Sequence, residues 1–425
     1  MQTPSLLTDL FVAYYQARKN KRNTINQLAF EINYEANLIQ LYNDIVNKQY
    51  AISPSSCFMI NKPVQREIFA ASFRDRVVHH LLFNYINPTF EAQFIQDSYS
   101  CRKQKGTHYG INRLNNAIKT CSKNYTQDCY VLKLDIQSYF MSINKTILQQ
   151  KLMLSILKSE TITPATKTLS FYLIDTILAD NPTKNCVIKG KKTDWQNLPK
   201  NKSLFYAKPN CGLPIGNLTS QLFSNVYLHS FDCFMKTDQN LEFYGRYVDD
   251  FFVLHTRPEK LKEIISTVKA YLQNTLALTL HPKKIVLQHY SKGVNFLGAT
   301  IKPYRMYVSN RTKINFKHCI LHWERFLKHH NPTISDLNQM RAAINSYLGI
   351  LGHYRSYNIR HKLLLKNRSK LLYKYGYVFS IRHKKMTYVL KQHNILVQAI
   401  DIFNYCCPIK FSLRVEKQSI TRFLS

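Results

Sequence analysis

The stretch that decides the fold is Tyr244-Gly245-Arg246-Tyr247-Val248-Asp249-Asp250-Phe251-Phe252-Val253-Leu254. Aromatic and β-branched residues flank the two acids, and such residues favour β-strands. We therefore predict a hairpin over 241–255 with the two acids at its tip. Adjacent carboxylates in an apolar setting repel each other and lose solvation, so they either protonate or are held by a cation. A plain turn role stays open, because Asp is common in hairpin turns.

A third acid ends a second apolar segment. Cys129–Leu134 (CYVLKL) reads as a strand, and Asp135 follows it directly. This acid can cap the next helix, or it can face the hairpin tip if the two strands are neighbours. In the second case three carboxylates form a cage of oxygens suited to Mg²⁺. Two such ions about 3.5–4 Å apart would activate an attacking 3′ hydroxyl and stabilise the leaving pyrophosphate.

The charge of the chain points to a polyanionic partner. The 425 residues include 59 Lys+Arg against 25 Asp+Glu, which gives a formal net charge of +34. Half of this excess lies from Met306 onward, and a cluster of lysines lies in 181–209. A basic surface without a nucleic-acid partner is the alternative. Together with a carboxylate cage, however, the charge indicates nucleotidyl transfer on a nucleic acid.

Other classes of protein are disfavoured by simple patterns. No apolar run reaches the roughly 18 residues that a membrane span needs, and the N-terminus lacks a secretory signal. The ten cysteines are scattered without a C-x-x-C pair, so we expect reduced thiols and neither a zinc site nor a disulfide framework. We therefore expect a cytoplasmic protein with no membrane partner. Pro88 predicts a break in an otherwise helical segment over 74–94.

Several blocks, taken in order, resemble those of reverse transcriptases. YVDD at 247–250 resembles the signature of that family, and LKLDIQSYF (132–140) and GLPIGNLTSQLFSNVYL (212–228) resemble its first two palm motifs. The other matching blocks are FRDRVVHH (73–80) and DSYSCRKQKGTHYGINRL (97–114) in the fingers, then LTLHPKKI (278–285) and VNFLGATI (294–301) in the palm. The resemblance covers roughly residues 11–372 and implies an α+β right-hand polymerase fold with fingers, a palm with an antiparallel sheet, and a helical thumb.

The resemblance also implies a division of the chain into domains. The expected parts are an N-terminal helical region (1–50), fingers (51–128), a palm (129–305) with a basic insertion (181–209), a thumb (306–372) and a C-terminal extension (373–425). The insertion reads as exposed.

By the same resemblance the site residues receive roles. The catalytic residues would be Asp135, Asp249, Asp250 and Lys284, the last as a proton donor to pyrophosphate with Lys283 as its neighbouring competitor. Two Mg²⁺ ions, with Mn²⁺ as a substitute, would be held by Asp135, Asp249, Asp250 and the backbone oxygen of Ile136. Nucleotide-binding residues would be Arg74, Arg76, Ile136, Phe140, Gly216 and Gln221, where Phe140 is the steric gate against a 2′ hydroxyl. Nucleic-acid contacts would come from Arg102, Lys103, Lys105, Phe296, Leu297 and Gly298, the last three as a primer grip.

A subgroup is suggested by GLPIGNLTSQ. Ile215 and Gln221 differ from retroviral and group II intron enzymes and resemble bacterial reverse transcriptases of diversity-generating retroelements and related defence-associated groups. We therefore expect an RNA-directed DNA polymerase that copies a dedicated, structured noncoding RNA with dNTPs into a DNA product in antiphage defence, alone or with an accessory protein or a second copy. The alternatives are mutagenic retrohoming and a non-catalytic RNA-binding protein of the same fold.

Overall fold

The structure, a computed structural model, describes residues 6–19, 24–61, 64–366, 370–381 and 385–391. Most of the predicted C-terminal extension, from 392 onward, lies outside the described residues. The chain divides into two units, Met1–Lys292 and Gly293–Ser425. Among the described residues, none of the helices combines the length and the apolar character needed to cross a membrane.

In the first unit the helices are α1 (Leu6–Arg18), α2 (Ile25–Glu31), α3 (Tyr34–Val46), α4 (Phe73–Gln93), α5 (Thr107–Cys121), α6 (Tyr139–Ser142), α7 (Lys145–Lys158), α8 (Pro164–Ala179), α9 (Leu218–Lys236) and α10 (Pro258–Leu276). Its strands are β1 (Ser55–Ile60), β2 (Arg66–Ala70), β3 (Tyr130–Asp135), β4 (Cys186–Ile188), β5 (Tyr244–Tyr247), β6 (Asp250–His255) and β7 (Val286–His289). The second unit contains β8 (Val294–Phe296), β9 (Ala299–Lys302), β10 (Arg305–Val308), α11 (Asn310–His329), α12 (Ile334–Gly352), α13 (Tyr357–His361), α14 (Lys370–Tyr375), β11 (Gly376–Ile381) and β12 (Lys385–Leu390).

A four-stranded antiparallel sheet in the order β5-β6-β3-β7 carries the predicted hairpin. β5 and β6 pair through Tyr247 and Asp250, so Val248 and Asp249 form the tip. The predicted hairpin is therefore present, but only one of its two acids, Asp249, lies at the tip, because Asp250 is the first residue of β6. β3 is central and pairs with β6 on one side and with β7 on the other. Because its apolar side chains are buried, the register of β3 is fixed by packing.

Helices α4, α7, α8, α9 and α10 pack with this sheet around one apolar core. Pro258 begins α10, where its missing N–H leaves no hydrogen bond unmade. The buried residues of that helix follow helical spacing and are Leu261, Ile264, Val268, Leu272 and Leu276.

The predicted break at Pro88 was wrong. Helix α4 continues from Phe73 to Gln93 with Pro88 inside it. Residues on both sides of the proline, including Ile86 and Phe90, are buried in the core. This packing compensates for the hydrogen bond that a proline inside a helix cannot make.

The insertion 181–209 is more closely packed than its composition suggested. Its strand β4 pairs in parallel with β1, which itself pairs antiparallel with β2. Short 3₁₀ turns follow over Lys192–Trp195, Lys200–Lys202 and Leu204–Tyr206, and Leu204 is buried. The segment that was predicted to be exposed therefore partly extends the β1–β2 sheet.

The second unit begins with the sheet β8-β9-β10 and continues into two long helices. The predicted thumb helices lie in this unit, while the predicted domain boundaries stay predictions. The unit begins at Gly293, before the predicted end of the palm at 305. Apolar residues of α11 and α12 share a core with residues of β12: Phe316, Ile320, Leu327, Leu337, Met340, Ile344, Leu348, Met386, Tyr388 and Leu390.

Candidate active site

Strand pairing brings the three predicted acids into one region. Asp135, at the end of β3, is the register partner of Asp250, at the start of β6. The backbone N–H of Ile136 donates to the carbonyl of Asp249 at 3.1 Å. Acids that are far apart in the chain are thus neighbours, because β3 and β6 are adjacent strands.

The carboxylate of Asp135 has two different surroundings. Its Oδ2 accepts a hydrogen bond from Lys284 Nζ at 2.7 Å, in an ion pair between a buried acid and a half-exposed lysine. Its Oδ1 is buried and finds no hydrogen-bond partner among the described residues. An ionised carboxylate oxygen in that position is costly unless a donor or a cation reaches it. The backbone is anchored as well, since His281 N–H donates to the Asp135 carbonyl at 2.8 Å.

The two acids of the hairpin are crowded by burial and by like charge. Burial, followed by the charges of Asp135 and Asp250, raises the pKa of Asp249 to about 6. Burial also raises the pKa of Asp250. The charge of Asp135 raises it further, while the charges of Lys133 and Lys284 lower it. Burial alone would lower the pKa of Lys284, but its hydrogen bond to Asp135 and the three acid charges together raise it. The site therefore concentrates negative charge that a cation would relieve.

The predicted cage of three carboxylates is not preassembled. Among the described residues no group of three or more His, Cys, Asp or Glu side chains is arranged so that it could hold a metal ion. One oxygen of Asp135 is instead taken by the ammonium group of Lys284. The donor chemistry nevertheless fits a hard divalent cation, because the buried Oδ1 of Asp135 and the acids of the hairpin supply only oxygen.

The turn that carries Asp249 is held by a buried arginine that the sequence analysis did not single out. Val248 has φ +55°, which is unfavourable for a β-branched residue. Arg246 Nη1 donates to the Val248 carbonyl at 3.0 Å, and its Nε and Nη2 donate to the two carboxylate oxygens of Asp232 at 2.7 and 2.6 Å. Tyr244 Oη donates to the same carboxylate at 2.6 Å. A charged residue in an otherwise apolar strand was the available signal.

The predicted steric gate, Phe140, lies where α6 meets the turn before α9. Leu213 N–H donates to the Phe140 carbonyl at 2.8 Å. The half-buried ring packs on a small core formed by Cys57, Phe69, Met141 and Leu204. The position of this ring is therefore fixed by packing on the β1–β2 side of the unit.

Gly216 lies in the same turn, close to β2. Its φ is +133°, and a Cβ there would lie 2.9 Å from the Phe69 carbonyl oxygen. Only glycine fits such a position. Gln221, the other predicted nucleotide-binding residue of this block, is exposed in the first turn of α9.

The two arginines predicted to bind the triphosphate differ in their contacts. Arg74 donates to Asp44 Oδ2 at 2.5 Å and to the Ala51 carbonyl at 3.0 Å, and it lies 4.9 Å from the centre of the Tyr50 ring. Its guanidinium is therefore already engaged within the protein. Arg76 is half-buried, burial lowers its pKa, and its guanidinium makes no hydrogen bond or ion pair with any described residue, although its backbone N–H donates to the Ser72 carbonyl. Of the two, Arg76 is the one with donors left for a phosphate.

The predicted template contacts before α5 divide in the same way. The buried side chain of Arg102 is bound to Glu91 and to the carbonyls of Ile95 and Ser98. Its guanidinium is therefore engaged within the protein, and its contact with the template stays a prediction.

The two lysines of that block keep more freedom. Lys105 donates to the Gln96 carbonyl at 2.7 Å, so its ammonium group is partly engaged. Lys103 is exposed. Of the predicted template contacts, Lys103 is the residue whose surroundings suit a phosphate in solvent best.

The predicted primer grip belongs to the second unit. Leu297 and Gly298 form the tip of the β8–β9 hairpin with φ +47° and +85°, and Phe296 before them is buried. Positive φ at both central residues is typical of a tight type I′ turn. The structural role of this turn is clear, and its contact with a primer stays a prediction.

Comparisons with known proteins identify the family. The family model described as reverse transcriptase (RNA-dependent DNA polymerase) matches residues 60–301. Protein YkfC of Escherichia coli (strain K12) is 21% identical over 308 residues, which cover 64% of this chain and 73% of that protein.

Solved structures of telomerases are also similar. Apo telomerase from Candida tropicalis has a TM-score of 0.44 at 13% identity, with 79% of this chain and 65% of that chain covered. Telomerase from Candida albicans, solved with a fragment of telomeric RNA, has a TM-score of 0.41 at 11% identity, with 82% and 62% covered. The chain thus spans less than two thirds of the length of these telomerase chains.

The family match covers the strand that ends at Asp135, the turn before α9 and the hairpin with Asp249 and Asp250. The predicted α+β class is confirmed by the helices and antiparallel sheets described above, and the family match supports the predicted right-hand polymerase fold. Because the match spans more than half of the sequence, the chain belongs to the reverse transcriptase family of RNA-dependent DNA polymerases.

Proposed function

We propose that this reverse transcriptase adds dNTPs to a 3′ hydroxyl on an RNA template at the site around Asp135. The observation that carries the proposal is the pairing of Asp135 with Asp250 across adjacent strands, beside Asp249 and Lys284. This region combines crowded acids with one ammonium group. Such a combination suits a reaction in which a triphosphate is attacked and pyrophosphate leaves.

In this proposal Asp135, Asp249 and Asp250 hold two divalent cations, Mg²⁺ or Mn²⁺ as a substitute, with the backbone oxygen of Ile136. When bound, the ions would stabilise the attacking and the leaving oxygens. The buried Oδ1 of Asp135 offers a lone pair that no described protein group uses. The protein itself orients the carboxylate oxygens, because the pairing of β3 with β6 brings Asp135 and Asp250 to the same end of the sheet.

Lys284 supplies the mobile proton in this scheme. Its ammonium group lies 2.7 Å from Asp135 Oδ2, beside the proposed cation ligands, and could donate a proton to the departing pyrophosphate oxygen.

The remaining predicted residues bind and select the nucleotide. Arg76 has free donors for the triphosphate. Phe140 restricts the space beside the sugar, so a 2′ hydroxyl is rejected and dNTPs are preferred to NTPs. Gly216 and Gln221 line the approach of the nucleotide, and Lys103 and the 296–298 turn contact nucleic acid.

The test is primer extension on an RNA template with Mg²⁺, comparing wild type with Asp249→Asn/Asp250→Asn. We expect product only from wild type, while RNA binding survives in the variant because it depends on basic surfaces. Extension by the double variant would contradict the assignment of the site. Extension with NTPs as fast as with dNTPs would favour an RNA-templated RNA polymerase. Absence of extension by both proteins, with RNA binding retained, would favour the non-catalytic alternative.

We further propose that the copied strand is a dedicated noncoding RNA used in antiphage defence. The support is the resemblance at Ile215 and Gln221 to the diversity-generating and defence-associated groups. Sequencing the RNA retained by the purified protein, and the DNA made from it, tests this proposal. A single structured RNA copied faithfully would support defence. Copies with scattered errors, together with a target gene that carries matching variable repeats, would favour diversity generation.

A further inference from the structure

The 181–209 insertion presents a basic surface on a fixed support. Six lysines within it are exposed: Lys184, Lys189, Lys191, Lys200, Lys202 and Lys208. None of them forms an ion pair with any described residue. The single acid of the segment, Asp194, accepts the backbone N–H of Lys191 at 2.9 Å, so its carboxylate serves the local fold. The surface therefore carries a strong positive charge that the surrounding protein leaves unneutralised.

The support is the buried carboxylate of Glu67 on β2. It accepts hydrogen bonds from Trp195 Nε1 at 2.7 Å, from Ser203 Oγ at 2.9 Å and from Leu204 N–H at 2.7 Å. Three donors from the insertion thus converge on one anion of the β1–β2 sheet. Because an ionised group is buried only when it is well bonded, this contact fixes the position of the segment.

Aromatic side chains accompany the lysines on the outer face. Tyr206 is 62% exposed, and Phe205 is 39% exposed with its ring 5.6 Å from that of Phe69. The ammonium of Lys200 lies 5.5 Å from the centre of the Tyr206 ring. An exposed ring held beside cations has the two features that bind an unpaired strand, a platform for a base and charges for phosphates.

We propose that the 181–209 insertion is a docking surface for single-stranded RNA, with Tyr206 as the stacking platform. The lysines neutralise phosphates, and the exposed ring distinguishes an unpaired strand from a duplex, whose bases are already stacked. RNA is chosen as the occupant on the strength of the proposed function, since the template is the strand present before synthesis begins. The contact with Glu67 keeps this surface attached to the β1–β2 sheet.

The test measures binding of a short labelled oligouridylate to the full chain over a range of salt, without dNTPs or Mg²⁺. The variant Lys200→Gln/Lys202→Gln/Lys208→Gln is compared with a charge-matched control, Lys158→Gln/Lys262→Gln/Lys269→Gln, whose lysines are exposed elsewhere in the first unit. We expect the insertion variant to lower the slope of log affinity against log salt by on the order of two, since each phosphate contact on a single strand contributes about 0.7. The control should keep the slope of wild type.

The stacking role is tested with Tyr206→Ala and Tyr206→Phe. We expect the alanine variant to bind at least about five-fold more weakly and the phenylalanine variant to bind like wild type, because the ring remains. Equal effects of the two lysine triples, or equal losses in both tyrosine variants, would overturn the proposal. The proposal would also be overturned if the insertion variant bound the matching DNA oligonucleotide more weakly but bound the RNA like wild type. Repeating the measurement with Asp249→Asn/Asp250→Asn separates this result from polymerase activity, because the surface should bind equally well there.

Discussion

Arg246 and Asp232 form an ion pair in which both side chains are 0% exposed and Nη2 lies 2.6 Å from Oδ2. The same guanidinium donates to the carbonyl of Val248, next to Asp249. The pair thereby joins helix α9 to the hairpin that carries the acids. Burial of two charges seldom contributes much net stability, so its value here is the position that it gives to the turn.

Removing only one partner of this pair should damage the fold. Arg246→Met leaves the Asp232 carboxylate buried and unpaired, so we expect a loss of about 3–5 kcal/mol in the free energy of unfolding. Replacing both residues in Arg246→Met/Asp232→Leu should recover much of that loss. Urea unfolding of the three proteins measures these differences. A double variant no more stable than Arg246→Met would show that the lost charge pairing is not the cause.

The recovered double variant should still be a poor enzyme, because Val248 lacks its hydrogen bond. We expect a higher Mg²⁺ concentration for half-maximal primer extension, with the affinity for RNA unchanged. Arg246→Lys, which keeps the charge, serves as the comparison. A double variant with the Mg²⁺ dependence of wild type would show that the pair has no part in positioning the acids.

Lys284 should control the alkaline side of the activity profile. If its ammonium group gives the proton to pyrophosphate, Lys284→Gln should lower the extension rate by about 10²–10⁴-fold. Because a lysine ammonium group loses its proton only at high pH, wild-type activity should fall there, and this fall should disappear in the variant. Rates measured across pH under single-turnover conditions check both points, with Lys283→Gln as the neighbouring control. An unchanged alkaline limb in Lys284→Gln would assign the proton to another group.

A buried histidine should make stability depend on pH. Burial lowers the pKa of His79 to about 3, and its Nδ1 lies 2.9 Å from Thr219 Oγ1. The unfolded chain, with the usual histidine pKa of about 6.5, therefore binds a proton that the folded chain does not. The contribution of His79 to the free energy of unfolding should be complete above a pH of about 6.5. It should fall as the pH decreases from about 6.5 towards 3, by at most about 1.4 kcal/mol per pH unit.

Urea unfolding at several pH values measures this slope. His79→Gln keeps a side chain that can bond Thr219 but does not titrate, so its slope should be smaller. His318→Gln, at an exposed position, should keep the slope of wild type. Equal slopes in all three proteins would assign the acid sensitivity to other groups.

Gly216 should tolerate no side chain. In Gly216→Ala the Cβ would lie 2.9 Å from the Phe69 carbonyl at φ +133°, so either β2 or the turn must move. We expect a loss of more than about 1 kcal/mol of stability and a higher KM for dNTPs. The control is Gly349→Ala in α12, where, apart from the neighbouring backbone of the helix itself, no atom of the described residues lies within 4 Å of the added Cβ. That change should stabilise the protein by about 0.5–1 kcal/mol. A normal KM for dNTPs in Gly216→Ala would show that this turn does not contribute to nucleotide binding.

Local patterns predicted the parts of the molecule that depend on neighbours in sequence. The strand before Asp135 and the hairpin with Asp249 at its tip follow from apolar and β-prone runs. Partners far apart in sequence were not visible, such as Trp195, which bonds to a carboxylate on β2 across 128 positions. The buried pair of Arg246 with Asp232 was hidden for the same reason. The continuous helix through Pro88 was missed because tertiary burial outweighed the local preference.

The central place of β3 has a consequence for how this enzyme tolerates change. A slip of one residue in the pairing of β3 with β6 would turn Asp135 to the opposite face of the sheet and bring Leu134 against Asp250 instead. The buried leucines of that strand therefore fix the register that places Asp135 beside Asp250. Substitutions of these leucines would abolish catalysis before they unfolded the chain. A defect that looks like damage to the active site can therefore arise from a residue that never contacts the substrate.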